Sequence, residues 1–336
     1  MFQIRKVVKK PKLNIVSVLI VNWNGKAFIS KCLDGLNRQI YRHFQTVVID
    51  NGSSDGSVNY IKAYYPEVTV LPQNRNLGFC EANNIAIQNV QSHYVALLNN
   101  DAVPDHRWLQ YLVEAMESNP EAGFGASKML YQKRPLVIDR AGDGYTRAGA
   151  GLLRGRNLPS RAYDQMEWIF GACAGAAIYR REMIEDIGLF DECFFLLYED
   201  VDLSFRAQLR GYKCIYVPKA IVYHLKSKTI GEDSTISVYH SHRNLEWVYI
   251  QNMPFRLLLK TCIHHILYNF FAFLYFIVKG QTKAFIRAKW DAMRHLNSVL
   301  EKRRYIQKRR SVDDQYLWEL FEKESFFSRL AWRQKK

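Results

Sequence analysis

The chain lacks most of the signatures that identify a protein at sight, and each absence narrows what it can be. Its six cysteines, Cys32, Cys80, Cys173, Cys193, Cys214 and Cys262, stand singly with no CxxC pair. That speaks against a zinc site, and reduced thiols in a cytosolic protein are expected. The first thirteen residues, Met1 to Leu13, are basic but have no apolar core, so no export signal is expected. Neither G-x-G-x-x-G nor G-x-x-x-x-G-K-[ST] occurs, which disfavours Rossmann dinucleotide binding and P-loop chemistry. No apolar run reaches 20 residues unbroken, because the longest, Phe255 to Val278, is interrupted by His264, His265 and Asn269. A helix lying in a membrane interface is the expectation there. Acidic residues are also short, 32 against 47 Lys and Arg for a net charge of +15. With no nucleic-acid fold signature present, nucleic acid is not the expected partner, which leaves anionic lipid or a phosphorylated substrate.

What is present is a repeated design. With 336 residues, 48% of them hydrophobic, the chain can bury one large core and carry an appendage. Tyr94-Val95-Ala96-Leu97-Leu98 reads as a buried strand that stops abruptly at Asn99-Asn100-Asp101. Polar side chains at the carboxyl end of a strand are aimed into the crevice where α/β sheets bind ligands, so Asp101 is the first candidate metal ligand. A plain turn before Pro104 is the alternative. The same pattern precedes it: a strand at Ile15–Val21 ends in Asn22-Trp23-Asn24-Gly25, and one at Thr46–Ile49 ends in Asp50-Asn51-Gly52-Ser53-Ser54-Asp55-Gly56. Helices are predicted over about 26–38, 58–65 and 79–89, with a strand at 68–71, and the alternation implies βαβ units and a parallel sheet. Asn22, Asn24, Asp50, Asn51, Arg75, Asn76, Gly78 and Asp101 then share one sheet edge. Gly78 opens a helix after Asn74-Arg75-Asn76, where bare amides and a guanidinium would hold phosphate oxygens, unless they form only a solvated cap.

Beyond Pro104 a helix runs to about Ser118, and short apolar pieces broken by glycine follow between Gly123 and Gly155. Arg147, Arg154, Arg156 and Arg161 in and after that region suggest either a mobile loop over an anionic ligand or a solvated one. The second chemical stretch is Phe194-Phe195-Leu196-Leu197-Tyr198-Glu199-Asp200-Val201-Asp202. In a helix starting near Asp200, Asp202 pairs with Arg206 at i,i+4, while Glu199 and Asp200 sit at the positive end. The apolar flank raises carboxylate pKa and suits a general base. Two short strands, Lys213–Val217 and Ala220–Tyr223, end at His224, either a hydrogen-bonded structural histidine or a ligand. Trp168 and the small residues around Gly171 would serve as a stacking platform for an acceptor sugar, or as plain core.

Together these stretches resemble the family 2 inverting glycosyltransferases, and within them the bacterial rhamnosyltransferase-like branch that builds surface polysaccharides. The motifs that carry it are Val21-Asn22-Trp23-Asn24-Gly25, Asp50 to Ser57, Asn74-Arg75-Asn76-Leu77-Gly78-Phe79, Leu98-Asn99-Asn100-Asp101, and Tyr198-Glu199-Asp200-Val201-Asp202-Leu203. The resemblance implies a GT-A fold (Rossmann-like, α/β, mixed sheet) with a C-terminal helical extension. It also implies a dTDP- or UDP-sugar donor, with dTDP-rhamnose the particular suggestion, and a Mg²⁺ or Mn²⁺ cofactor. By position, Asp50, Asn51, Asn22 and Asn24 would line the nucleotide pocket with Arg75, Asn76 and Gly78, and Asn99-Asn100-Asp101 would stand in the D-x-D place. Asp101 and His224 would hold the metal, Asp200 would be the base with Glu199 beside it, and Trp168 and Gly171 would meet the acceptor. The sequence departs from the pattern at Asn99, which replaces an acid, and at Cys80-Glu81, where small residues are usual.

A composition change near Ser237 divides the chain into a catalytic part, 1–236, and a basic helical part, 237–336. Lys283, Arg287, Lys289, Arg294, Lys302, Arg303, Arg304, Lys308, Arg309 and Arg310 punctuate the apolar residues of the latter. That is the pattern of a binder of anionic membrane, here the inner face of the cytoplasmic membrane, a packed subdomain or homodimer interface being the alternative. The acceptor implied is a saccharide or a polyprenyl-linked one. A sugar-phosphate nucleotidyltransferase or a non-catalytic nucleotide-sugar binder are the competing functions.

Overall fold

The structure, a computed structural model, describes residues 15–225 and 234–323, so the basic first segment lies outside the described residues. The first half alternates as expected: β1 (Val16–Asn22), α1 (Lys26–Asn37), β2 (Phe44–Asp50), α2 (Ser57–Tyr64), β3 (Thr69–Pro72), α3 (Gly78–Gln88) and β4 (Tyr94–Leu98). The buried stripe of α1, Ile29, Cys32, Leu33 and Leu36, falls at i, i+3, i+4 and i+7 and packs on the sheet. Strands β1 to β4 are mutually parallel where they pair, in the order β4-β1-β2-β3, and β1 places Asn22 in register with Asp50.

After β4 come β5 (Ala102–Pro104), α4 (Trp108–Ser118), β6 (Ala122–Tyr131), β7 (Arg134–Ala141), β8 (Asp143–Tyr145), β9 (Gly151–Leu153), β10 (Glu167–Ile169), β11 (Ala176–Arg180), α5 (Arg181–Ile187), α6 (Glu199–Leu209) and β12 (Lys213–His224). Here the sheet turns mixed, since β11 runs antiparallel to both β4 and β6 while β12 is parallel to β6. The region from Gly123 to Gly155 is therefore not a set of broken pieces. Its glycines are strand residues where neighbours press close: a Cβ on Gly123 would lie 2.6 Å from the Tyr212 Cβ. Nor is Arg154 part of a mobile loop, because it is buried, donates to the Ala141 carbonyl and pairs with Glu167 at 2.8 Å. The helix expected from Pro104 starts at Trp108 because Ala102–Pro104 pairs with the end of β12. The two strands before His224 are one, with an irregularity between Val217 and Ile221 that absorbs Pro218.

Five helices follow: α7 (Thr235–Asn252), α8 (Phe255–Val278), α9 (Thr282–Arg294), α10 (Leu296–Lys308) and α11 (Asp314–Leu320). One core lies between the sheet and α1, α2 and α4; the other joins Leu19, Val47 and Ile49 to α3 and α6 and also to Trp247, Tyr249, Leu257, Leu317 and Phe321. Basic residues of α9 and α10, and Arg309 just after α10, help dock these helices. Lys302 meets Asp191 at 2.5 Å, Arg309 meets Asp186 at 2.8 Å, Lys289 meets Glu246, and Arg303 caps the Ile250 and Met253 carbonyls. Lys283, Arg287, Arg294, Arg304 and Lys308 remain on the surface.

Among the described residues, α8 is the one helix long and apolar enough to cross a membrane. Two of its three interruptions turn inward, His265 and Asn269 both bonding Glu246, while His264 stays exposed. The stripe Phe255, Leu259, Ile263, Ile266, Phe270, Leu274 and Ile277 is exposed, and Trp290 of α9 is 69% exposed. Isolated apolar residues on a surface are ordinary, whereas a continuous stripe is a contact surface.

Candidate active site

The carboxyl ends of β1, β2 and β4 are tied together by amides. Asn22 Nδ2 donates to Asp50 Oδ1 at 3.1 Å and Ser57 Oγ at 2.9 Å, and Asn22 Oδ1 accepts from Asn100 Nδ2 at 3.0 Å. Asp50 Oδ2 takes the Ser53 amide, and Asn24, at φ 48°, takes that of Ser54. Gly25 is the point where the chain passes this knot, since a Cβ there would fall 2.2 Å from Asn100 Nδ2. Asn51 reaches sideways, accepting from Leu77 N and donating to Asn76 Oδ1 and the Gly78 carbonyl. The expected cradle of bare amides at Gly78 is absent, however. Leu77 N serves Asn51, Gly78 N serves Asn76, and Phe79 N serves the Phe195 carbonyl. What remains for an anion at that corner is the exposed guanidinium of Arg75. Cys80 is buried in the core, away from any such ligand.

Asp101 and His224 meet. His224 Nε2 lies 3.2 Å from Asp101 Oδ1, and Nδ1 donates to Asp139 Oδ2 at 2.8 Å. Burial opposes a charge on the imidazole, but the bonds to Asp101 and Asp139 outweigh it and lift the ring to about 9. Burial likewise works against an ionised Asp139, yet its bond to His224 holds that carboxyl well below the usual range. With its Nε2 proton displaced by the incoming ion, His224 completes with Asp101 a donor set that suits a hard divalent cation. A carboxylate oxygen and an imidazole nitrogen about 3 Å apart have the spacing of adjacent ligands on an octahedral ion. Asp139 holds the far ring nitrogen, as a supporting carboxylate does behind a metal-bound histidine. Asn99 does not join them; it packs on Gly175, where a Cβ would come within 2.8 Å of its amide nitrogen.

The next residue along β7, Arg140, serves a second group of acids. Its Nη1 lies 3.2 Å from Asp143 Oδ1 and 3.7 Å from Asp200 Oδ2. Burial lifts Asp143 to about 7 against the pull of Arg140. Glu199 is lifted to about 8, by burial first and by the charge of Asp200 second, and its Oε2 is buried with no hydrogen-bond partner. Of this adjacent pair, Glu199 thus holds a proton near neutrality. A single loop links the two halves of the site: the Gly175 carbonyl accepts from Asn99 N, while Ala174 N donates to Asp200 Oδ2 at 3.4 Å. Asp143, Cys173 and Asp200 also form a group of three metal-type donors, but Arg140 already stands among them.

Asp200 is aimed by strained backbone. Phe195, Leu197 and Tyr198, none of them glycine, have φ of 62°, 65° and 70°. Helix α7 holds them: the fully buried Asn244 donates to the carbonyls of Phe194, Leu196 and Leu197 at 3.1, 2.9 and 2.7 Å, and Arg243 donates to those of Cys193 and Phe194. Two residues beyond Asp200, Asp202 pairs with Arg206 as expected and also accepts from Gln251 and Asn252 of α7.

Gly171 lies at the cluster, its backbone paired with Asp143 and its Cα pressed against Ser204 of α6. Trp168 does not. It pairs with Ile215, nine residues before His224 on β12, and its ring sits under Lys213. Asp139, Arg140, Asp143 and Asn244 went unnoticed in the sequence. The signal was Asp139-Arg140-Ala141-Gly142-Asp143, three charges inside an otherwise apolar stretch.

A mixed sheet covered on both faces, with polar strand ends and an acid-bearing helix beside them, is the GT-A fold. The family model described as glycosyl transferase family 2 matches residues 17–188, and the chain belongs to that family. It is 27% identical over 268 residues, 69% of this chain and 82% of the other, to the N-acetylglucosaminyl-diphospho-decaprenol L-rhamnosyltransferase of Mycobacterium tuberculosis. Among solved structures it resembles Staphylococcus aureus TarS 1–349 in complex with UDP-GlcNAc, with TM-score 0.56, 16% identity and 87% and 90% of the chains covered. It also resembles the mannosyltransferase PcManGT of Pyrobaculum calidifontis in complex with GDP-Man and Mn²⁺, with TM-score 0.54, 15% identity and 92% and 84% covered.

Proposed function

We propose that this glycosyltransferase works by inversion. It moves a sugar from a UDP or dTDP donor, L-rhamnose in the finer reading, to a hydroxyl of a polyprenyl-diphosphate-linked saccharide in bacterial surface polysaccharide synthesis. The observation that carries the reading is the loop Cys173–Gly175, which bonds Asn99 on one side and Asp200 on the other. It supports one cavity shared by the Asp101–His224 pair and the Asp200 carboxylate. The rhamnosyltransferase relative favours the lipid-linked acceptor, and the nucleotide complexes of the structural relatives favour a nucleoside-diphosphate donor.

Asn22, Asn24, Asp50 and Asn51 hold base and ribose, with Asn76, Gly78 and Asn100 shaping the pocket and Arg75 meeting phosphate. Asp101 and His224 hold Mg²⁺ or Mn²⁺, which when bound supplies positive charge to the leaving diphosphate. Asp200 takes the proton of the acceptor hydroxyl as that oxygen attacks the anomeric carbon. Arg140 fixes the orientation of Asp200, and protonated Glu199 places no charge beside it. The exposed stripe of α8, flanked by the exposed cations of α9 and α10, rests on the inner face of the cytoplasmic membrane.

Nucleoside-diphosphate release from a panel of nucleotide sugars tests this, comparing the natural chain with Asp200→Asn and Asp101→Asn. A positioned base is worth about 10² to 10⁴ in rate, so Asp200→Asn should keep donor binding and lose transfer by that factor. Turnover near the natural rate in Asp200→Asn removes it from the role. Donor binding with no release in the natural chain would favour a non-catalytic binder.

A further inference from the structure

Of the arginines in the glycine-rich middle region, Arg154 is spent on Glu167, and Arg156 donates to the Tyr131 hydroxyl. Arg147 is different. It lies at the tip of the β8–β9 hairpin, with its guanidinium carbon 3.8 Å from the centroid of Trp318 in α11. Lys260 of α8 approaches the same ring, its Nζ 3.5 Å from the centroid. Two cations sharing one ring at such distances stand less than about 8 Å apart. Neither has a carboxylate partner among the described residues, and Arg147 Nε is buried with no hydrogen bond. Glu322, just after α11, pairs with Arg154, and Glu319 with Gln315. Among the described residues, the repulsion between Arg147 and Lys260 is thus uncompensated.

Their position says what would compensate it. Arg147 stands four residues beyond Asp143, whose carboxylate shares Arg140 with Asp200. Lys260 stands on α8 between the exposed Leu259 and Ile263. The cation pair is therefore the station between the site of the reacting hydroxyl and an apolar stripe. A lipid-linked sugar has that same order of parts: sugar, diphosphate, hydrocarbon. From this geometry we propose that Arg147 and Lys260, braced by Trp318, bind the diphosphate of a prenyl-diphosphate acceptor. The site rests on the lipid-linked acceptor proposed above and names the residues that read its charged link. Arg147 offers the paired donors that phosphate oxygens accept, and Lys260 a point charge beside the lipid.

Binding of farnesyl diphosphate, farnesol and inorganic pyrophosphate to the full chain, measured by calorimetry in EDTA with saturating UDP present, tests the assignment. The natural chain should bind farnesyl diphosphate at least about ten-fold tighter than farnesol, as expected for two charge-assisted contacts, and tighter than pyrophosphate. Arg147→Ala/Lys260→Ala should erase the preference over farnesol while UDP affinity and melting temperature hold. Arg147→Lys should recover part of it. A preference that survives in the double variant overturns the assignment and leaves the transferase reading intact. Equal binding of pyrophosphate and farnesyl diphosphate overturns the lipid link. No preference over farnesol in the natural chain overturns the assignment together with the diphosphate-linked acceptor.

Discussion

Replacing Asn244 with alanine should disable the enzyme from a residue that touches no substrate. The amide of Asn244 holds three carbonyls of the Phe194–Leu197 turn at 3.1, 2.9 and 2.7 Å. Arg243 still serves the Phe194 carbonyl, but those of Leu196 and Leu197 lose their donor at about 1–3 kcal/mol each, so the native state should lose roughly 2–4 kcal/mol after partial relaxation. That turn and the Tyr198 that follows it contain three non-glycine residues at positive φ, each strained by about 1–3 kcal/mol. Freed of its clamp, the turn relaxes toward ordinary backbone, and the relaxation is passed to Asp200 two residues further on. A displacement of about 1 Å at a reacting group costs on the order of 10²-fold in rate. The expected result is a melting temperature several degrees lower, kcat down by about 10²-fold or more, and donor KM little changed, because the Asn22–Asp50 pocket lies on other elements. Leu245→Ala, a buried neighbour on the same helix, supplies the control: comparable destabilisation with kcat retained below the melting range. An Asn244→Ala enzyme with kcat within about three-fold of the natural rate would refute the reasoning.

Asp139→Asn should loosen His224 and weaken a Mn²⁺-dependent thermal shift by about 10- to 100-fold in metal affinity, since supporting carboxylates are typically worth that much; an unchanged shift would remove Asp139 from the cation's surroundings. Glu199, lifted to about 8 from its usual 4.5, binds in the folded chain a proton that the unfolded chain releases. Stability therefore falls as pH rises between those values, and Asp143 adds the same sign up to about 7. Glu199→Gln should flatten this slope and be more stable than the natural chain at pH 8.5, by on the order of 1 kcal/mol in urea unfolding. A difference between the two proteins that does not vary with pH contradicts it. Ile266→Glu together with Phe270→Glu on α8 should abolish co-sedimentation with anionic vesicles while the melting temperature holds; undiminished pelleting would discard the membrane face.

The first half of the fold was legible because each buried strand ends abruptly in amides, acids or glycine, and each helix carries its apolar stripe at a period of 3.6. Asn22, Asp50, Asn51, Asn100 and Asp101 came together for that reason, since strand ends sit side by side in the parallel half of the sheet, and His224 joins Asp101 through the antiparallel pairing of β12 with β5. The middle was illegible because glycine carries two meanings. At Gly123 and Gly125 it marks close packing inside a strand rather than a break. Arg140 and Asp143 were hidden in that misreading, and Asn244 was hidden by distance, 44 positions from Asp200. The amides at Gly78 misled differently, since a helix start suggests free donors and does not reveal that Asn51, Asn76 and the Phe195 carbonyl use them.

The central claim is that one cavity presents a cation-held diphosphate on one side of the anomeric carbon and the Asp200 carboxylate on the other. The anomeric configuration of the product, read from proton–carbon couplings in NMR immediately after transfer, tests it most directly. A single displacement assisted by Asp200 gives a linkage inverted relative to the donor. A product that retains the donor's configuration would contradict the account.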